Sequence, residues 1–421
     1  MKSRLLRFLS ILGPGLITGA ADDDPSGIST YSVAGATTGF SMLWVTLIST
    51  PMMSVIQGMC ARISMVTGEG LASVMRKRFA TPLAYTLASL VIVANTFNVG
   101  ADLGGMAEAA NLVVPLPIDA WVFFFGIGLI AVQLWLSYAV LARIFKWLTL
   151  SLFAYVVTAF VVRPPWLDVL RGFALPHVRF DASWLSTMVG VLGTTITPYL
   201  FFWQASLMVE EEKEAGNATL AKRRGTNEKA LRAMHADVNT GMIFSNVVAL
   251  FIIVTTAATL GASGRHNIAT AQQAAEALRP LAGRFAELLF ALGMVGTGML
   301  AVPVLAGSSA YVAAQTFRFR EGLSEPVARA PRFYGVIAAG ILLGIAMNLL
   351  RIDAIKALFW SAVLNGVTAV PVIAAIVYLA SNPEIMGPWR SSALARAWGW
   401  ATFALMAAAS LGMIYLSIKP R

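Results

Sequence analysis

Apolar stretches long enough to cross a bilayer recur along nearly the whole chain, and they decide what it can fold into. About 20 apolar residues span the hydrocarbon core as a helix. Runs of that kind cover 8–38, 41–65, 82–112, 118–137, 143–162, 183–210, 239–262, 284–317, 333–350, 353–380 and 395–418. The longest polar stretches, 210–236 and 263–283, are too short to form a separate soluble domain. A backbone in hydrocarbon must satisfy its own hydrogen bonds, so spans of this length are helical. The expected fold class is therefore an all-α integral membrane protein with about eleven transmembrane helices. Composition agrees, since only 12% of the residues are charged, against about a quarter in a soluble domain.

The opening "MKSRLLRFLSILGPG" looks like the start of a signal peptide, but no small-residue cleavage site follows. It reads as the first membrane helix, retained. The single cysteine, Cys60, lies in an apolar run. A disulfide framework or cysteine metal cluster is excluded, and Cys60 reads as a small buried residue.

The formal charge of +10 is a topology signal, not a nucleic-acid surface. With the N-terminus in the cytoplasm, about two thirds of the 31 Lys and Arg fall on the inner side, as the positive-inside rule requires. They include Lys2, Arg4, Arg7, Arg76, Lys77, Arg78, Arg143, Lys146 and the basic residues of 210–236. An odd number of spans then puts the C-terminus outside. The expected location is the inner (plasma) membrane, multi-pass.

Two spans are interrupted. The first holds Asp24-Pro25-Ser26-Gly27 and the sixth holds Gly193-Thr194-Thr195-Ile196-Thr197-Pro198-Tyr199. They lie five spans apart, which predicts two five-span repeats, inverted because five is odd. A ten-helix core over 1–380 would comprise repeats at 1–162 and 183–380, with an additional helix at 395–418. Interrupted segments in corresponding places of two halves point to a transporter's central site. Proline removes a backbone donor and glycine lets the chain leave helical geometry. The freed carbonyls must face protein or a wet cavity, where a cation can take them as ligands. Each half-helix ending at a break also carries partial negative charge. The alternative is that each proline only kinks a helix.

The three aspartates differ. Neighbours on a helix point about 100° apart, so one ion is not gripped by all three. Asp24, beside Pro25, is the expected ligand. Asp22 and Asp23 line a water-filled approach or meet polar partners.

These residues resemble a known family. "GPGLITGAADDDPSG" resembles the first helix of Nramp divalent-metal transporters, where a GPG segment precedes an Asp-Pro-Gly-Asn motif. "ARISMVTGEGLASVMRKRF" is similar to the second helix and its loop, and "AAEALRPLAGRFAELLFALGMVGTG" to the outer loop and eighth helix. The resemblance covers most of the chain and implies a LeuT-type fold with broken helices 1 and 6. Several positions depart from the family. Gly27 stands where it has Asn, Thr197 where it has Met, Tyr199 where it has His, and Gln204 at a later His. Asp102 matches an acidic position of the family's proton route, and Val99 replaces a second. These departures resemble the Nramp-related magnesium branch.

Ligand chemistry agrees. A thioether favours softer metals, whereas Thr197 makes the site all-oxygen. Mg2+ keeps several of its waters, and a site with shortened side chains leaves room for them. The expected ion is hydrated Mg2+, with Mn2+ also accommodated. Its expected ligands are Asp24, the Thr197 hydroxyl and the Thr194 carbonyl, with Gly27 giving space or its carbonyl. Asp23, Tyr199, Gln204, Asp102 and Asn365 are expected along the pathway or behind the ligands. The metal is transported substrate; no cofactor, nucleic acid or obligate protein partner is implied beyond the lipid bilayer.

Coupling follows from histidine, the residue suited to titration near neutral pH. Only His177, His235 and His266 occur, in loops or at span ends. Uncoupled transport is expected, with Asp102 keeping a proton-coupled Mn2+/Fe2+ carrier as the alternative. A sodium-coupled amino-acid carrier on the same fold is opposed by a carboxylate at the break, which repels anions. The membrane-enzyme reading finds no HExxH, no Ser/His/Asp-type cluster and no cysteine pair. Asn95 and Asn98 are assigned to packing, and Glu108 and the run Glu210–Glu214 to solvent.

Overall fold

The computed structural model describes residues 14–135, 151–265, 268 and 270–418. Expected features at 1–13, 136–150 and His266 lie outside the described residues, among them Lys2, Arg4, Arg7, Arg143, Lys146 and the first part of the fifth span.

Nine helices among the described residues are long and apolar enough to cross a membrane. The first expected span is two helices, α1 (Pro14–Asp22) and α2 (Pro25–Thr38). Then follow α3 (Trp44–Thr67), α4 (Leu71–Arg78), α5 (Thr81–Val113), α6 (Ile118–Trp135) and α7 (Phe153–Val162). The second half holds α8 (Trp166–Ala174), α9 (Ala182–Thr195), α10 (Pro198–Glu214) and α11 (Glu228–Thr256). It ends with α12 (Ala286–Phe317), α13 (Pro331–Asn348), α14 (Ala354–Ser381) and α15 (Ala393–Ile418). Single-turn helices in the connections are left unnumbered. The amphipathic pieces α4 and α8 fill connections where the sequence offered only loops.

Local chemistry sets the helix boundaries. Pro25 and Pro198 occupy first-turn positions, where the missing N–H costs nothing and the fixed φ suits a helix start. Asp181, Asn227 and Asp353 cap α9, α11 and α14 by accepting backbone N–H bonds. Gly68, at φ 70°, ends α3 in the left-handed conformation.

The two broken spans sit inside the bundle. α1 packs on α11, α9 packs on α14, and α5 lies along α12. Two glycines allow close approaches here. A Cβ on Gly19 would stand 2.3 Å from the Gly241 carbonyl oxygen, and one on Gly193 would stand 2.1 Å from that of Ala362. Backbones meet directly there, as small residues permit between membrane helices. By contrast α6, α13 and α15 turn apolar faces outward, with Phe124, Leu343 and Leu411 all exposed. Cys60 is buried, as expected. Trp203 fills the core, whereas Trp360 and Trp400 face outward.

Candidate cation site

Each broken span leaves helical geometry for two residues, Asp23 and Asp24 in the first and Ile196 and Thr197 in the second. Asp24 stands at φ −72°, ψ 171° and is the N-cap of α2. Its Oδ1 accepts from the Gly27 N–H at 2.7 Å and from the Ser26 hydroxyl at 2.8 Å. Local sequence dictates this: an Asp-Pro-x-Gly start supplies cap, first-turn proline and a backbone donor within reach. The capping role was not read from the sequence. Ile196 and Thr197 form the second break, with Thr197 as N-cap of α10. Its hydroxyl makes no cap bond; it is buried and has no hydrogen-bond partner.

The two breaks face each other across Gly27. A Cβ there would lie 3.1 Å from Thr194 Oγ1 and 3.4 Å from both Asp24 Oδ1 and Tyr31 Cε2. Gly27 thus keeps open the space between the Asp24 carboxylate and the last turn of α9. The carbonyls of that last turn have no intrahelical partner in regular geometry.

Behind Asp24 runs a polar chain. Asn98 Nδ2 donates to Asp24 Oδ2 at 3.1 Å and to Asp102 Oδ2 at 3.0 Å. Asn365 Nδ2 donates to Asn98 Oδ1 at 2.9 Å. Asp102 and Asn365 are therefore brought together with Asp24 through Asn98, which the sequence reading had assigned to packing. The available signal was its position one helical turn before Asp102 on α5. Asn95 does pack, donating to Ser309 Oγ and the Leu305 carbonyl on α12.

Tyr199 and Gln204 join helices. The Tyr199 hydroxyl donates to the Ala21 carbonyl at 2.9 Å, and the Thr18 hydroxyl donates to Gln204 Oε1 at 2.7 Å. Both contacts tie α10 to α1. Asp22 and Asp23 do not line open water. They are 0% and 1% exposed, and the Ser245 hydroxyl of α11 reaches Asp22 Oδ2 at 2.7 Å and Asp23 Oδ1 at 3.1 Å. Of the two roles expected for them, polar partnership describes the geometry. Glu210 also departs from its solvent assignment. It is buried and pairs with Lys213, one turn further along α10, at 3.0 Å. Glu108 is half-buried, and His235 is half-buried against Arg62, with 2.6 Å between Nε2 and the guanidinium.

The site is electrostatically one-sided. Asp22, Asp23, Asp24 and Asp102 are each at most 1% exposed. Among the described residues, no Lys, Arg or His pairs with any of them. Buried unpaired carboxylates are costly, and such a place attracts cations. No three His, Cys, Asp or Glu residues among those described converge to hold an ion. What the site offers is one carboxylate, hydroxyls, helix-end carbonyls and space.

Comparison with known proteins places the chain and its fold. The family profile described as natural resistance-associated macrophage protein-like (Nramp) matches residues 15–416. The divalent metal cation transporter MntH of Agrobacterium fabrum is 24% identical, over 98% of this chain and 88% of its own. The solved manganese transporter of Eremococcus coleocola, in complex with an aromatic bis-isothiourea substituted compound, superposes with a TM-score of 0.74 at 18% identity. That superposition covers 99% of this chain and 87% of the other. Mhp1, a nucleobase-cation-symport-1 family transporter in a closed conformation with bromovinylhydantoin bound, gives 0.53 at 15% identity over 96% and 93%. The structural likenesses establish the fold, an all-α bundle with broken first and sixth spans. None of these proteins is an enzyme.

Proposed function

Because this chain belongs to the Nramp family, we propose that it carries hydrated divalent cations, Mg2+ above all and Mn2+ as well, across the inner membrane by alternating access and without proton coupling. The family assignment makes it a divalent metal cation transporter; the choice of ion and the absence of coupling are our reading. One observation carries it. Thr197 presents a buried hydroxyl with no partner at the second break, where the resembling family has a thioether. A hard oxygen donor suits Mg2+ and a thioether suits softer metals. Gly27 keeps space beside Asp24 that a longer side chain would fill, and an ion retaining its waters needs that space.

In this reading Asp24 supplies the charge, Thr197 its hydroxyl and Thr194 its carbonyl. Asn98 holds the Asp24 carboxylate in place, and Asp23, Asp102 and Asn365 stand behind it. Tyr199 and Gln204 keep the halves of the broken spans in register. The repeats are taken as 1–162 and 183–380, with 395–418 added. The N-terminus is placed in the cytoplasm and the C-terminus outside. In support, the basic connections 67–81 and 214–228 meet on one face. The membrane potential drives uptake, since two charges moving through 100 mV gain about 4.6 kcal/mol.

Uptake into proteoliposomes tests the site. Asp24→Ala should abolish Mg2+ and Mn2+ flux together, and unchanged flux of both would overturn the assignment. One observation favours the proton-coupled alternative: Asp102 is buried and linked to Asp24 through Asn98. Internal acidification accompanying metal uptake would establish it.

A further inference from the structure

On the face that gathers the basic connections, the segment after α3 and the loop 214–228 are fastened together. The Gly225 N–H donates to the Val66 carbonyl at 3.0 Å and Arg223 Nε to that of Gly68 at 3.3 Å. Between them lies a cavity of about 180 Å³ that the ion pathway does not use. Lys77, Arg78 and Arg224 line it with one carboxylate, Glu69, and the apolar side chains of Leu220 and Ile385. One backbone bond and one side-chain-to-backbone bond tie its walls together, which brings the elements carrying the cations close before any ligand arrives.

The charges are unevenly committed. Glu69 is taken by Lys77, at 2.5 and 2.7 Å. Arg78 touches Glu384 through a single 3.3 Å contact, and that glutamate is 76% exposed. Exposed pairs of that kind hold weakly. Arg224 makes no side-chain hydrogen bond or ion pair among the described residues. Three cations against Glu69 and the exposed Glu384 leave one positive charge in excess, at Arg224, that a phosphate would balance.

Lipid-facing surface begins within a turn of these cations. Phe79, next after Arg78, meets Tyr378 with ring centroids 5.7 Å apart, and Tyr378 is half exposed. α5 then turns Leu83, Leu90 and Val93 outward. We propose that this cavity is a headgroup site for an anionic phospholipid. Its phosphate lies between Arg78 and Arg224 beside Lys77, and its acyl chains leave past Phe79 and Tyr378. Basic pockets between membrane helices recognise anionic headgroups in this way. The site reaches the transport core through α4. Gln315 of α12 accepts from the Ala72 N–H at 3.1 Å, and its own amide donates to Ser206 of α10 at 3.1 Å. A headgroup that steadies α4 therefore steadies the inner half of the second broken span.

A free phosphate shares the headgroup's chemistry, and the test separates the two. Protein in nanodiscs of phosphatidylcholine, with and without phosphatidylglycerol, is followed by thermal unfolding and by native mass spectrometry of retained lipid. Phosphatidylglycerol should raise Tm and remain bound. Arg224→Gln should weaken its retention about fivefold, and Arg78→Gln with it about fivefold again, with Tm in phosphatidylcholine alone unchanged. Should Tm in phosphatidylcholine fall, Arg224→Lys, which keeps the charge, must restore retention. Undiminished retention in the double variant, failure of that rescue, or an equal Tm gain from inorganic phosphate in detergent each overturns the proposal.

Discussion

Replacing Gly27 by alanine separates the ion's needs from those of the fold. The added methyl would stand 3.1 Å from Thr194 Oγ1 and 3.4 Å from Asp24 Oδ1. The second distance is ordinary contact; the first is tight by a few tenths of an ångström. If Thr194 leaves its rotamer, the cost is about 0.5–1.5 kcal/mol. Gly27 lies within the first turn of α2 and has no positive φ. There alanine is favoured over glycine by about 0.8–1 kcal/mol. The two terms nearly cancel, so Tm should move by only a few degrees. Transport should not survive as well, because the methyl takes space beside the carboxylate that a water of the hydrated ion would hold. Displacing an ordered water without replacing its bonds loses affinity, and a hydrogen bond to a charged group is worth about 1.5–3 kcal/mol. The KM for Mg2+ should therefore rise about ten- to a hundredfold. The assay is Mg2+ uptake into proteoliposomes, beside thermal unfolding of the same preparation. A KM within twofold of the parent, at comparable Tm, would refute the idea that Gly27 keeps room for a hydrated ion.

Two further outcomes follow. Thr197→Met replaces the unpartnered hydroxyl by a thioether and should shift preference from Mg2+ to Mn2+ in competition uptake; an unchanged ratio removes Thr197 from the ligand set. Outside the membrane, burial pushes the Glu321 carboxyl up to about 7 from 4.5, with Lys213 partly opposing. The folded chain then holds a proton that the unfolded chain releases. This contribution to stability is full below pH 4.5 and is lost as pH rises towards 7, by roughly 3 kcal/mol at most. Glu321→Gln should flatten Tm across that window, and an unaltered slope would contradict the burial of this carboxyl.

The fold was legible because membrane helices obey two strong rules. Apolar run length placed several spans to within a few residues, 353–380 against Ala354–Ser381 and 395–418 against Ala393–Ile418, but missed the polar first turns of α11, which starts at Glu228 rather than 239. Proline chemistry fixed the breaks, since Pro25 and Pro198 each open a helix inside an apolar run. Neither rule speaks about partners distant in sequence. Asn98 meets Asn365 across 267 positions, and Ser245 meets Asp22 across 223. A polar side chain in an apolar helix must turn inward, but which inward neighbour it finds depends on packing. The short helices α4 and α8 escaped for the opposite reason: at eight and nine residues they are too short to stand out beside a membrane span, although α8 is strongly amphipathic.

The three adjacent aspartates are explained by the same distinction. Their sequence suggested one ligand and two carboxylates that either line a water-filled approach or meet polar partners. All three are buried, and they divide two hydrogen-bonding duties. Asp24 accepts from Gly27, Ser26 and Asn98, while Asp22 and Asp23 share the Ser245 hydroxyl. Asp22 Oδ1 and Asp23 Oδ2 retain no partner. Hydrogen bonds alone do not compensate several desolvated carboxylates so close together. The α1 helix also ends there, with its partial negative charge pointing the same way. The ionisable groups at the first break therefore all have one sign, and the positive N-terminal end of α2 is already taken by its cap, Asp24. An amino-acid carboxylate entering this place would meet repulsion from each of them, whereas a divalent cation would be attracted by all. The field that makes the segment costly to bury is the field that selects its substrate's charge. In the proposed reading, choice among cations rests with short-range groups at both breaks, the Thr197 hydroxyl at the second and the space beside Gly27 at the first.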